Sequence, residues 1–218
     1  MTAAVGESKV ISGPFLLFNR SLVVEFLEPK TTTPVSSVVI KVTFKGDHAN
    51  TKLGKRHPAA PPLHLHFEQS ESFVVLSGRI GHTEGYDLID HIFTPKDGVN
   101  EIRPWLPHNF WPDPTCTDTD TVVVVWAHPE ATPSPIHINF FESLFTLLSA
   151  KYEAGKTPDF LQLCLSQHEV ASTGVILPRV WWLGPLRWWV PWVMQGALAQ
   201  VARWSGYQAF PYANDKSR

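Results

Sequence analysis

From residue 12 to about residue 130 the chain is a series of short, β-branched runs, each cut off by Gly, Pro, Asn or Asp. SSVVIKVTFK, ESFVVLSG, DLIDHIFTP and DTVVVVWAH are examples. Side chains branched at Cβ lose χ1 freedom in a helix and pack well on a pleated surface, so such runs favour strands. No helical period separates them, which points to an antiparallel sandwich or barrel. The polar stretch KGDHANTKLGKRHPAAPP, residues 45–62, reads as a loop.

The rest of the composition narrows the class. At 218 residues, 12% of them aromatic, the chain is long enough for one sizeable core plus an appendage. Eighteen basic and 20 acidic residues nearly cancel, so no strong field attracts nucleic acid, and no nucleic-acid partner is expected. Cys116 and Cys164 show neither a disulfide framework nor a zinc-knuckle spacing and read as reduced thiols. The N-terminal stretch has no basic start followed by a long apolar run, so a cytoplasmic protein is expected.

After PEATPSP, residues 129–135, the texture turns helical. Asn139 with Glu142 three positions on reads as a capping box, and Phe141, Leu144, Phe145, Leu148 and Tyr152 form one stripe before Gly155. Thr157 followed by Pro158 reads as the start of a second helix. Residues 171–210 then hold Arg179, Arg187 and Arg203, no acidic residue, and six of the nine tryptophans. Pro178, Pro185 and Pro191 read as breaks in this tail. Its uncharged run is too short to span a bilayer, so the tail reads as a face buried on the barrel or in a homodimer, with peripheral membrane contact as the other option.

The chemistry concentrates in PPLHLHFEQSESFVVLSG, residues 61–78. Residues two apart on a strand share a face, so His64 and His66 present both imidazoles to one side. A carboxylate from Glu71, beyond a short turn, would complete a two-histidine, one-carboxylate face for a divalent ion. In NEIRPWLPHNFWPDP, residues 100–114, His108 offers a fourth ligand from another strand, with Phe110 sharing its inward direction. Alternation puts Ile80 and His82 on one face, so His82 is a candidate proton carrier. Gln69 is a candidate for orienting a ligand or substrate, and Phe73 and Phe110 are candidates for lining an apolar pocket.

These segments resemble the cupin superfamily. HLHFEQSE, a six-residue gap and Gly78 match its first signature; RPWLPHNFW is similar to the second, with Trp105 standing where glycine is usual. The resemblance spans roughly residues 35–130. It implies a mainly β fold, a double-stranded β-helix (jelly-roll) barrel over residues 12–130, with residues 131–218 as a helical, Trp-rich extension. It implies that His64, His66, Glu71 and His108 ligate a divalent ion, iron, manganese, nickel or zinc. A single cupin with an apolar helical tail is also similar to fungal cupin-like proteins found among natural-product tailoring enzymes. The expected function is therefore a metal-dependent enzyme acting on an apolar, oxygen-bearing small molecule, polyketide- or terpenoid-like, by oxygenation or by Lewis-acid rearrangement, isomerisation or cyclisation. The alternatives are a non-catalytic binding barrel and a cyclase indifferent to metal.

Overall fold

The computed structural model describes residues 8–29, 35–176 and 179–212. Pro178 and the first seven residues lie outside them. Eleven strands form two antiparallel sheets. One holds β1 (Val10–Leu17), β2 (Leu22–Leu27), β3 (Val38–Phe44), β10 (Thr121–His128), β5 (Ser70–Ser77) and β8 (Val99–Ile102), in that spatial order. The other holds β11 (Ser172–Gly174), β4 (His64–His66), β9 (His108–Pro112), β6 (Ile80–Glu84) and β7 (Ile89–Phe93). This is the expected jelly-roll barrel.

Central position explains the valine run in β10. It pairs with β3 on one side and β5 on the other, so both its edges are bonded and both its faces meet protein. Registers Val125 to Phe73, Val123 to Val75 and Val123 to Val42 put these side chains on one inward face. Leu22, Val24, Phe26, Ile40, Phe73, Val75, Ile80 and Val123 build the core there. By the same two-residue period Glu71, opposite Ala127, points inward with Phe73. Gly78 ends β5 at φ 70°, and a Cβ there would lie 2.6 Å from Thr121 Oγ1, so only glycine makes this turn without strain.

Three helices follow: α1 (Ile138–Glu153), α2 (Phe160–Glu169) and α3 (Leu186–Trp204). Two start differently from expectation. His137, not Asn139, precedes α1, and no side chain caps it; Asp159, not Thr157, caps α2, accepting from the N–H groups of Leu161 and Gln162. A carboxylate two residues closer to the helix satisfies two orphan donors that Thr157 cannot reach.

Pro191 does not break the tail. It lies inside α3, where its missing N–H frees the carbonyl of Arg187. The Ile176 N–H donates to that carbonyl at 3.1 Å, so the helix continues with its acceptor satisfied. The extension also returns a strand: β11 pairs with β4 from Ser172 opposite His66 to Gly174 opposite His64. The C-terminal part is therefore bonded directly to the strand that carries the histidine pair.

Candidate metal centre

β4 and β9 meet with His64 opposite His108. His66 projects from the same side of β4 as His64, and Glu71 arrives from the other sheet, after the chain crosses between sheets at Phe67–Gln69. One ligand atom from each of His64, His66, Glu71 and His108 lies within 4.8 Å of the other three. An ion bound at roughly 2.1 Å sets its ligands about 3 Å apart in cis and about 4.2 Å in trans, so shifts of a few tenths of an ångström bring these four onto one centre. All four residues expected as ligands come together.

The ring tautomers support a cation. His64 Nδ1 lies 3.0 Å from the Pro62 carbonyl oxygen, and His108 Nδ1 lies 2.9 Å from that of Leu106. A carbonyl only accepts, so Nδ1 carries the proton in each neutral ring and Nε2 is left as a lone pair. His108 Nε2 then faces Glu71 Oε2 at 3.5 Å, acceptor to acceptor. His66 Nε2 is 3.2 Å from the same oxygen, off the direction of a hydrogen bond, and both of its ring nitrogens are buried without a partner. Buried polar atoms of this kind are costly unless something satisfies them. A divalent ion among the four would take the Nε2 lone pairs of His66 and His108, leaving His66 Nδ1 unpaired, and the donor set of three imidazoles and one carboxylate fits it.

Electrostatics act in the same direction. Burial pushes the Glu71 carboxyl up, but His108 and His66, acting as hydrogen-bond donors and positive charges, outweigh burial and hold it well below the usual carboxylate range; a divalent ion in place of those protons would act in the same direction. Burial, then His108 and His66, hold His64 well below the ordinary histidine value, and burial lowers His66 too. An ionised Glu71 beside His64 and His66 held toward their neutral forms suits metal ligation.

The second signature is reshaped where Trp105 replaces glycine. Trp105 adopts φ 70° itself, and its N–H donates to the His66 carbonyl at 2.8 Å. Its ring packs on Phe67 and Trp188, with centroids 4.7 and 4.9 Å away. The left-handed backbone that favours glycine is thus held by aromatic packing against the tail.

The remaining predicted site residues separate. Phe110 lines the space before the ligands. Phe73 stands one layer behind it, its ring 5.0 Å from those of Phe110 and Phe93, and is absent from the cavity wall. His82 is buried beside Phe110, 5.1 Å between centroids and 6.1 Å from His108, with neither ring nitrogen bonded. Burial, then the His108 ring, lower its pKa to about 4, so it is neutral near pH 7. Gln69 does something else: its amide donates to Ser37 Oγ at 2.9 Å and the Pro129 carbonyl at 2.7 Å, and accepts from the Ile136 N–H at 2.6 Å. It ties the β10–α1 connection to the start of β5.

A cavity of about 730 Å³ opens from His64, His66 and Glu71. Its walls are the inward side chains of β2, β3 and β10, then the α1 stripe of Phe141, Leu144, Phe145 and Leu148, then residues of α2 and α3. In the sequence that stripe reads only as one face of a helix, in an extension that packs on the β region or reaches away from it. Its bulk of Phe and Leu was the available signal, but nothing in the spacing tells a wall from a filled core.

Two curated fungal relatives are similar to most of the chain. Oxidoreductase iacF of Pestalotiopsis fici is 34% identical over 171 residues, 78% of this chain and 79% of that protein. Probable oxidoreductase virH of Hypocrea virens is 30% identical over 167 residues, 76% and 70%. The chain belongs to this family of fungal proteins named as oxidoreductases. No family model matches it. Among solved structures, iron(II) HppE aligns at 17% identity and a TM-score of 0.36, over 56% of this cupin and 57% of that chain. A Klebsiella pneumoniae protein with a double-stranded β-helix domain aligns at 15% and 0.38, over 59% and 84%.

Proposed function

We propose that this cupin is a divalent-metal-dependent oxidoreductase acting on an apolar, oxygen-bearing small molecule of polyketide or terpenoid type. The observation that carries the reading is a four-residue ligand cluster at the end of an apolar cavity large enough for a drug-sized ligand. The names of the relatives, all oxidoreductases, support redox over Lewis-acid chemistry. An ion held by these side chains supplies electron exchange with dioxygen if it is iron or manganese, or polarisation of a substrate oxygen if it is zinc or nickel.

The protein's own part is positioning. His64, His66, Glu71 and His108 would hold the ion, and Phe110, Ile40, Val42 and Val125 would press an apolar substrate toward that cluster while excluding water. His82, one strand from His108 and outside the cavity wall, would serve as a proton carrier only against its burial, which lowers its pKa to about 4.

The test is elemental analysis of the purified protein beside the His64→Ala/His66→Ala double variant. About one ion per chain is expected, reduced to traces in the variant along with activity. A variant that converts substrate at the wild-type rate without metal sinks the reading, and a metal-indifferent cyclase or binding barrel takes its place.

A further inference from the structure

The solvent face of α3 is largely apolar, with Gln200 and Arg203 its polar members near the C-terminal end. Leu186, Trp189, Val193, Ala197, Val201 and Trp204 succeed one another at three- and four-residue steps, and all are exposed. The opposite face is the packed one: Trp192 meets Phe67 and His168, and Ala199 and Ala202 pack on Leu165. A helix on a water-soluble surface shows the reverse, polar residues outward. Indoles stand at both ends of the stripe, Trp181 and Trp182 before it at 81% and 70% exposure and Trp204 at its end at 79%.

This face is continuous with the cavity. Met194 of α3, Phe160 of α2 and Ile176 are exposed and also belong to the cavity wall. The way in to the ligand cluster therefore starts beside the stripe.

We propose that α3 lies flat in the interface of a lipid bilayer bearing anionic headgroups, with its stripe at the boundary between headgroups and acyl chains and the cavity rim facing the lipid. Trp at the margins and aliphatic residues between them is the arrangement such an interface favours. Residues 171–210 carry Arg179, Arg187 and Arg203 and no acid; Arg203 is paired with Glu169, Arg187 stacks on Tyr86, and Glu68 lines the cleft beside Trp188 and Trp189, so exposed Arg179 is the main draw toward anionic headgroups. Among the described residues no helix is long and apolar enough to cross a membrane, so α3 lies on the surface instead of spanning. A second copy fits less well, because a two-fold contact sets the same arginine-bearing patch against itself. Entry of an apolar substrate from the lipid rests on the proposed function; the docking does not.

Flotation of the full chain with phosphatidylcholine vesicles, with and without phosphatidylserine, tests it, with quenching of indole fluorescence by brominated acyl chains as a second readout. Binding to the anionic vesicles, weaker without phosphatidylserine and at high salt, with quenching, is expected. The Val193→Ser/Val201→Ser/Trp204→Ser variant changes exposed side chains only and should keep its circular dichroism and metal content while losing vesicle partition by about tenfold or more. Failure to float with either vesicle overturns the proposal, as does a wild-type dimer that the variant converts to monomer without any vesicle binding. Metal content and turnover of soluble substrate report separately on the proposed reaction.

Discussion

Nε2 of His108 and Oε2 of Glu71 face each other across 3.5 Å, and in the neutral ring the His108 proton is on Nδ1, against the Leu106 carbonyl, which leaves two acceptors face to face. Two lone pairs in a buried site repel unless a cation bridges them. That single relationship does more for the metal reading than the ligand count does.

It makes a prediction about Glu71→Gln. The amide N–H₂ can donate to His108 Nε2, satisfying the orphan, while the neutral carbonyl is a poor ligand. In a chelator the variant should melt at or above wild type. With metal at about a hundred times its dissociation constant, wild type should gain about 2.7 kcal/mol and the variant little. Thermal melts with and without chelator decide it, and a variant that is stabilised by metal as strongly as wild type would refute the argument.

Gln69 should behave as a structural tie. Its buried amide makes three hydrogen bonds, so Gln69→Leu should cost about 2–4 kcal/mol in urea denaturation, through lost bonds and an unsatisfied Ile136 N–H. Gln69→Glu keeps an acceptor for Ile136 but loses the donors to Ser37 and Pro129, and should be comparably destabilised. Metal content should be unchanged in both. A variant of full stability with lost turnover would return Gln69 to the role the sequence suggested, orienting a ligand or substrate.

The ligand set was legible because strand alternation is a strict geometric rule and the signature spacing encodes it. His64 and His66 two apart, Glu71 after a crossing and His108 before Phe110 all fell where alternation puts them. The helix starts were less legible: Thr157 and Asp159 are both good caps in sequence, and tertiary position chose between them. β11 was invisible, since Ser-Thr-Gly carries no apolar pattern and exists as a strand because β4 offers it a bonding edge. Pro191 misled because the donor that replaces its lost partner, Ile176, comes from another segment. His57, which the sequence placed in a polar, surface-like context, is buried against Phe18 and Phe44.

The cavity should be separable from the ligands. Leu144 lines it from α1. Leu144→Trp fills empty space instead of overpacking a tight core, so stability should change by less than about 1.5 kcal/mol and metal content not at all. Affinity for an apolar fluorescent probe such as anilinonaphthalene sulfonate should fall about tenfold. Unchanged probe binding would show that this space is not where apolar ligands go.

The last prediction concerns His57, remote from the ligands. Its Nδ1 accepts from the Ala59 N–H at 3.1 Å, so Nε2 carries the proton and faces Ser21 Oγ at 3.2 Å. Burial, then His48, lower its pKa from 6.5 to about 4. A histidine whose folded pKa lies below the unfolded one stabilises the fold fully above 6.5, and that contribution is lost as pH falls through the window toward 4. The difference is worth about 3 kcal/mol at most, and about 2 kcal/mol of it should be gone by about pH 5. His57→Gln should be less stable than wild type at about pH 7.5, and the gap should close by about 2 kcal/mol at about pH 5. Urea titrations of both proteins at the two pH values measure that gap, and a gap that stays constant or widens on acidification would show that His57 is not held neutral by the fold.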